Sequence, residues 1–217
     1  MALIKICGIT NESDLNMVLL CEPNAVGFIV DVPVDTPRKI DAKKAKKLIC
    51  KVPILITSVL VMMPEKPEEA INRVNEIQPD VLQIHSDLSV EGLKEIKKAV
   101  PIPIIKTIGV DKNSKATAVI NRILRIKDTV DAVLLDTKTD QKVGGSGITH
   151  NWNISAKIVE NTSIPIILAG GLTPENVASA VSIVNPFAVD TASGVEGCPG
   201  KKDVKKLDSF LRNAKRV

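Results

Sequence analysis

Short runs rich in Val, Ile and Leu alternate with longer segments in which apolar residues recur at helical spacing, from one end of the chain to the other. The runs predict eight strands, at Leu3–Cys7, Ala25–Val30, Ile54–Val61, Val81–His85, Ile102–Ile108, Ala132–Asp136, Ile164–Ala169 and Phe187–Asp190. Helices are predicted between and after them, starting near Glu12, Ala42, Pro67, Val90, Ser114, Asn153, Pro174 and Asp203. Asp41, Ser89 and Thr173 are the clearest N-caps, because a short side-chain oxygen there satisfies an orphan amide of the first turn. Pro53, Pro101, Pro103 and Pro165 stand at the approach to strands, where a missing donor does little harm.

Strand and crossover helix in strict alternation demand parallel strands. An open doubly wound sheet meets the same demand, but no G-x-G-x-x-G follows the first strand and the two halves do not differ in composition. Eight even units in 217 residues favour an α/β fold closed as one eight-stranded parallel (β/α)8 (TIM) barrel, with residues 1–217 forming a single domain.

Composition narrows the partners. No apolar stretch approaches the ~20 residues needed to cross a bilayer, so no membrane partner is expected. The N-terminal residues do not read as a secretion signal, and a cytoplasmic protein is expected. Cys7, Cys21, Cys50 and Cys198 form no C-x-x-C pair, which argues against disulfides and zinc; Cys21 and Cys50 read as core, and Cys198 is given no role. The net charge of +4 lies largely in lysine runs that read as solvated helix faces, and aromatics are only 2%, so no nucleic-acid partner is expected. Neither histidine has metal-ligand spacing, so no metal is expected. Oligomeric state is left between monomer and homodimer.

In a closed parallel barrel the chemistry sits at the C-terminal ends of the strands and in the loops that follow. Those positions hold Cys7, Arg38, His85, Asp136, Gly170, Gly171, Ser193 and Gly194. The glycines after the seventh and eighth strands let backbone amides approach an anion closely, and a helix N-terminus there adds a favourable dipole. A small phosphorylated substrate is the expected ligand, held at Gly170, Gly171, Ser193 and Gly194. Asp136 ends an apolar strand, where a carboxylate is costly unless it faces the polar mouth. Cys7 read alone is first a buried structural thiol, because free cysteine is among the most buried residue types.

Longer strings sharpen this picture. Lys5-Ile6-Cys7-Gly8-Ile9-Thr10, Leu82-Gln83-Ile84-His85, Leu134-Leu135-Asp136-Thr137, Gly144-Gly145-Ser146-Gly147, Leu168-Ala169-Gly170-Gly171-Leu172 and Asp190-Thr191-Ala192-Ser193-Gly194-Val195-Glu196 occur in order over nearly the whole chain. Together they closely resemble the phosphoribosylanthranilate isomerase family of tryptophan biosynthesis. The resemblance implies a cofactor-free Amadori rearrangement of N-(5'-phosphoribosyl)anthranilate to 1-(2-carboxyphenylamino)-1-deoxyribulose 5-phosphate, with Cys7 as base and Asp136 as acid. It also implies that Arg38, in Thr36-Pro37-Arg38, contacts the anthranilate carboxylate. The substrate nitrogen serves as electron sink, so neither metal nor pyridoxal cofactor is required. The chain departs from the family pattern at Val30–Asp35, at Met62-Met63, at Ser86 and at Asn151, positions of the substrate wall and loops. Two other readings remain open at this point: a related isomerase acting on another phosphoribosylamine, as in histidine biosynthesis, and a non-catalytic sensor of a phosphorylated metabolite.

Overall fold

The β-branched runs form strands and the segments between them form helices, as seen in a computed structural model that describes residues 1–137 and 149–216. In chain order these are β1 (Leu3–Ile6), α1 (Glu12–Leu20), β2 (Ala25–Ile29), α2 (Ala42–Ile49), β3 (Thr57–Met62), α3 (Pro67–Ile77), β4 (Val81–Ile84), α4 (Val90–Ala99) and β5 (Ile104–Val110). There follow α5 (Ala116–Ile126), β6 (Ala132–Thr137), α6 (Trp152–Glu160), β7 (Ile166–Leu168), α7 (Val177–Val184) and β8 (Ala188–Thr191). After β8 come a 3-10 turn (Ser193–Val195), β9 (Glu196–Cys198), β10 (Lys201–Lys202) and α8 (Val204–Lys215). Strands β1 to β8 pair in sequence order, all parallel, and β8 returns to β1 with Leu3 opposite Ala188 and Ile6 opposite Thr191. The result is a closed (β/α)8 barrel. The string Gly144-Gly145-Ser146-Gly147 lies outside the described residues.

Alternation along each strand sorts side chains into two apolar regions. Ile4, Ile6, Phe28, Leu60 and Leu82 point outward and are buried against the helices. Cys7, Val61, Ile105, Leu134, Ile167 and Ala188 point into the lumen. Because the period is two, Lys5 shares the lumen face with Cys7, His85 with Gln83, Asp136 with Leu134, and Asp190 with Ala188. Five titratable groups, Lys5, Cys7, His85, Asp136 and Asp190, therefore share the lumen face.

Element boundaries depart from expectation where a turn competes with a strand or helix. The third strand starts at Thr57, not Ile54, because Pro53 opens a turn closed by the Ile56 amide on its carbonyl at 2.9 Å. That turn leaves Ile54 and Leu55 at 99% and 91% exposure. Helix α5 starts at Ala116 rather than Ser114, whose hydroxyl instead accepts from the Asp111 amide at 3.0 Å and closes a loop. Asp41 and Ser89 cap α2 and α4 as expected, each accepting from an amide of the first turn. Thr173 is not a cap: its amide donates to Asn176 Oδ1 at 2.8 Å, and a turn over Pro174–Asn176 delays α7 to Val177. Cys50 is an exposed helix C-cap, not core, whereas Cys21 packs half-buried at the end of α1. The short hairpin of β9 and β10 was not expected at all.

Candidate active site

Cys7 directly follows β1, and its amide donates to the Thr191 carbonyl of β8 at 2.8 Å. Gly27 of β2 faces it; a Cβ there would lie 2.7 Å from Cys7 Sγ, so only glycine leaves room for the thiol. One pleat below, Lys5 Nζ donates to Asp190 Oδ1 at 3.0 Å, and both side chains are buried. Burial pushes the Cys7 thiol up, the Lys5 and Lys202 ammonium groups pull it down, and Asp190 pushes it up; the net direction is upward. Lys5 is held above its ordinary value: burial works against its charge, but Asp190 and Cys7 more than offset that. Lys5 and Cys7 thus act on each other's charge from the same lumen face.

Asp136 lies in the last turn of pleat in β6, and its carboxyl is pushed up to about 6, first by burial and then by Asp190, with the Thr137 amide and Lys5 offsetting part of the rise. A carboxyl in that range is protonated often enough near neutral pH to donate a proton. His85, at the end of β4, places Nε2 at 3.6 Å from Asp136 Oδ2. Burial and the charges of Lys106 and Lys5 lower the His85 pKa, which keeps the ring neutral.

The loops after β7 and β8 press together. Gly170 and Gly171 take φ of 86° and 68°, the left-handed region that glycine adopts without strain. Asn176 Nδ2 pins the Gly171 carbonyl at 2.9 Å, and Thr137 Oγ1 donates to the Gly170 carbonyl at 3.2 Å. Ser193 and Gly194 open the 3-10 turn, so their amides have no carbonyl within it to meet. A Cβ on Gly194 would fall 1.9 Å from the Leu172 carbonyl oxygen. The absence of a side chain at Gly194 is therefore needed first for the contact between the two loops, beyond any room it leaves for an anion.

Arg38 is not a free surface group. Its Nε and Nη2 donate to Glu196 Oε1 and Oε2 at 2.8 and 2.6 Å, a bidentate pair joining the second loop to β9. Burial opposes the Glu196 charge, but Arg38, Lys202 and the Gly200 amide hold its pKa below the usual carboxylate range. Among the described residues no group of three or more His, Cys, Asp and Glu side chains gathers as a metal site would require.

The sequence matches the family described as N-(5'phosphoribosyl)anthranilate (PRA) isomerase over residues 4–213. The chain belongs to this family. A relative from Methanosarcina acetivorans named N-(5'-phosphoribosyl)anthranilate isomerase is 43% identical over 221 residues, covering 98% of this chain and 92% of that one. One from Haloarcula marismortui with the same name is 42% identical over 217 residues, covering 100% and 98%. Among solved structures, the phosphoribosyl anthranilate isomerase of Thermotoga maritima superposes with a TM-score of 0.87 at 36% identity, covering 100% of both chains. A phosphoribosyl anthranilate isomerase in complex with reduced 1-(o-carboxyphenylamino)-1-deoxyribulose 5-phosphate superposes with a TM-score of 0.83 at 33% identity, again covering 100% of both.

Of the positions singled out in the sequence, His85 and Asp136 come together at 3.6 Å, Cys7 shares the lumen face with them beside Lys5 and Asp190, and the glycine positions line the two apposed loops. Lys5, Asp190, Glu196 and Lys202 were not given roles. Lys5 and Asp190 carried a usable signal, since each shares its face with a lumen residue by the period of two. Lys202 carried none: it lies on a two-residue strand, 195 positions from the Cys7 carbonyl to which it donates.

Proposed function

We infer that this barrel isomerises N-(5'-phosphoribosyl)anthranilate to 1-(2-carboxyphenylamino)-1-deoxyribulose 5-phosphate, with Cys7 as base and Asp136 as acid. Asp136 donates a proton to the ribose ring oxygen as the C1–O bond breaks, and the nitrogen lone pair forms the iminium. The Cys7 thiolate then takes the proton from C2, and the electrons move to the nitrogen to give the enolamine. Tautomerisation, with a proton gained at C1 and one lost from the C2 hydroxyl, yields the ketone, so the reaction is redox-neutral within one molecule. The observation that carries this reading is the raised carboxyl of Asp136 at about 6 on the same lumen face as a thiol flanked by two lysines.

The phosphate is assigned to the amides of Gly171, Ser193 and Gly194, with Gly170 setting the turn. Arg38 is assigned to the substrate carboxylate through the guanidinium nitrogen that Glu196 leaves over, and His85 to the substrate beside Asp136. All four cysteines are free, which fits a reducing compartment, and the cytoplasm is the proposed place of work. Among the described residues no helix is long and apolar enough to cross a membrane. A Thermotoga maritima relative is described as dimeric, and sedimentation velocity distinguishes monomer from homodimer for this chain. The decisive test is loss of fluorescence from freshly made phosphoribosylanthranilate on adding the protein. A flat trace from folded protein removes the assignment.

A further inference from the structure

Lysine ammonium groups are among the least often buried, yet the Lys202 side chain is 0% exposed. It sits outside the barrel wall on β10, and its backbone amide is anchored on Asp14 of α1 at 3.2 Å. Its three N–H donors meet three acceptors: the Cys7 carbonyl at 2.7 Å, the Ala192 carbonyl at 2.8 Å and Glu196 Oε1 at 3.2 Å. An ammonium has three donors and no acceptor, so the set is complete. Each acceptor belongs to a different functional segment. Cys7 ends β1, Ala192 precedes the Ser193–Val195 turn, and Glu196 holds the Arg38 guanidinium in a bidentate grip.

We propose that Lys202 is the positioning residue of this site, its single ammonium fixing the thiol-bearing chain end, the anion-binding turn and the Arg38–Glu196 pair relative to one another. The proposal rests on the roles given above to Cys7 and to the turn. Pulling on the Ala192 carbonyl orients the peptide units whose following amides face the anion, and pulling on the Cys7 carbonyl fixes where the thiol points. The charges that face the Cys7 thiol are Lys5 from β1, Asp190 from β8 and Lys202 from β10. Those around Lys202 are Glu196, Arg38 and the Asp14 carboxylate, besides Cys7 itself. Among the described residues, removing the Lys202 charge leaves Lys5 as the one cation acting on the thiol.

Two readouts that need no turnover test this. The first is the pH dependence of Cys7 alkylation by iodoacetamide, followed by peptide mass spectrometry to separate it from Cys21, Cys50 and Cys198. The second is the affinity for inorganic phosphate, measured by calorimetry. Lys202→Met is expected to move half-maximal alkylation to higher pH and to weaken phosphate by about tenfold, as for loss of one charge-assisted hydrogen bond. Lys202→Arg retains the charge, so its alkylation profile stays near the parent's. A planar fork cannot place three donors on acceptors that converge on one nitrogen, so phosphate weakens there too. A folded Lys202→Met with the parent's alkylation profile and phosphate affinity overturns the proposal. Should that variant not fold, parental phosphate affinity in Lys202→Arg overturns it instead. If the parent alkylates as described but does not isomerise phosphoribosylanthranilate, the reaction assignment fails while the alkylation arm still decides the place of Lys202.

Discussion

The two apolar regions of this barrel are built to different rules. Between sheet and helices, Leu82, Phe28, Leu93, Ile96 and Phe210 are all fully buried and pack aliphatic or aromatic surface against more of the same. Inside the lumen the apolar side chains are fewer and smaller, Ala132, Ala169 and Ala188 among them, and they share the space with Lys5, Gln83, Thr107 and Asp190. Burying Lys5 with Asp190, and crowding a carboxyl beside them, costs stability that the outer layer must supply. The outer layer thus holds the fold while the lumen holds the protons. Substitutions should divide the same way: lumen changes cost activity, and outer changes cost stability.

The largest effect is expected for Cys7→Ser, which keeps the shape of the side chain and removes the base. The kcat/KM should fall by about 10² to 10⁴, with the melting temperature and phosphate inhibition near the parent's. Near-parental turnover would return Cys7 to a packing role and break the division at its centre.

Asp136→Asn should cost about 10² and, more tellingly, change the pH profile. The active form needs a thiolate and a protonated carboxyl, but the carboxyl loses its proton near 6 while the thiol pKa lies above its ordinary value. Below 6 the carboxyl stays protonated and the thiolate fraction rises with pH, so kcat/KM rises. Above 6 the gain in thiolate is cancelled by loss of the acid, giving a plateau that falls only past the thiol pKa. The bend near 6 therefore belongs to Asp136, and in the Asn variant the residual rate should climb through that region without bending. A bend that persists in the variant assigns it to another group.

On the other side of the sheet, Leu82→Ala deletes a fully buried side chain from the outer layer. About 2 to 5 kcal/mol of stability should be lost, read by denaturant unfolding, while kcat/KM well below the melting temperature stays within a factor of a few. A loss of turnover comparable to that of Asp136→Asn would mean that the layers are coupled.

This division also explains what was legible in the sequence. The outer layer announces itself, because its strands are continuous β-branched runs and its helices repeat every three to four residues; all eight strands of the barrel were found from that pattern. Where the reading slipped, as at Ile54 and Thr173, a proline-led turn used backbone groups that a strand or helix would have claimed. The lumen is written more faintly. Asp136 stood out as a charge in an apolar strand, and Cys7 drew its role from the family resemblance, but the Lys5–Asp190 pair joins residues 185 apart and depends on barrel closure. Lys202 is fainter still, since nothing local marks a lysine on a two-residue strand as buried. Gly194 was legible as glycine for the wrong first reason: it makes space for the Leu172 carbonyl before it makes space for an anion.

The smallest effect belongs to the exterior of the outer layer. Helix α2 carries lysines at 43, 44, 46 and 47, and its first turn holds no acidic residue. Lys43 and Lys44 thus stand near the positive end of the helix dipole, where a cation is unfavourable. The N-cap Asp41 is what offsets them: its Oδ1 accepts from the Lys44 amide at 2.7 Å and places a negative charge at the helix start. Asp41→Ala removes both contributions and leaves an amide to water, so about 1 kcal/mol should be lost, or roughly 2 to 4 °C in melting temperature for a chain of this size. Part of that loss is electrostatic at an exposed site, so it should shrink in high salt, which a hydrogen bond alone would not do. The bend near pH 6 in kcat/KM should stay where it is, because Asp41 lies outside the sheet and none of the lumen groups titrates against it. A displaced bend in Asp41→Ala would show that the helix start of α2 reaches the proton chemistry through the second loop, and the separation of fold from function across the barrel wall would then fail at its weakest point.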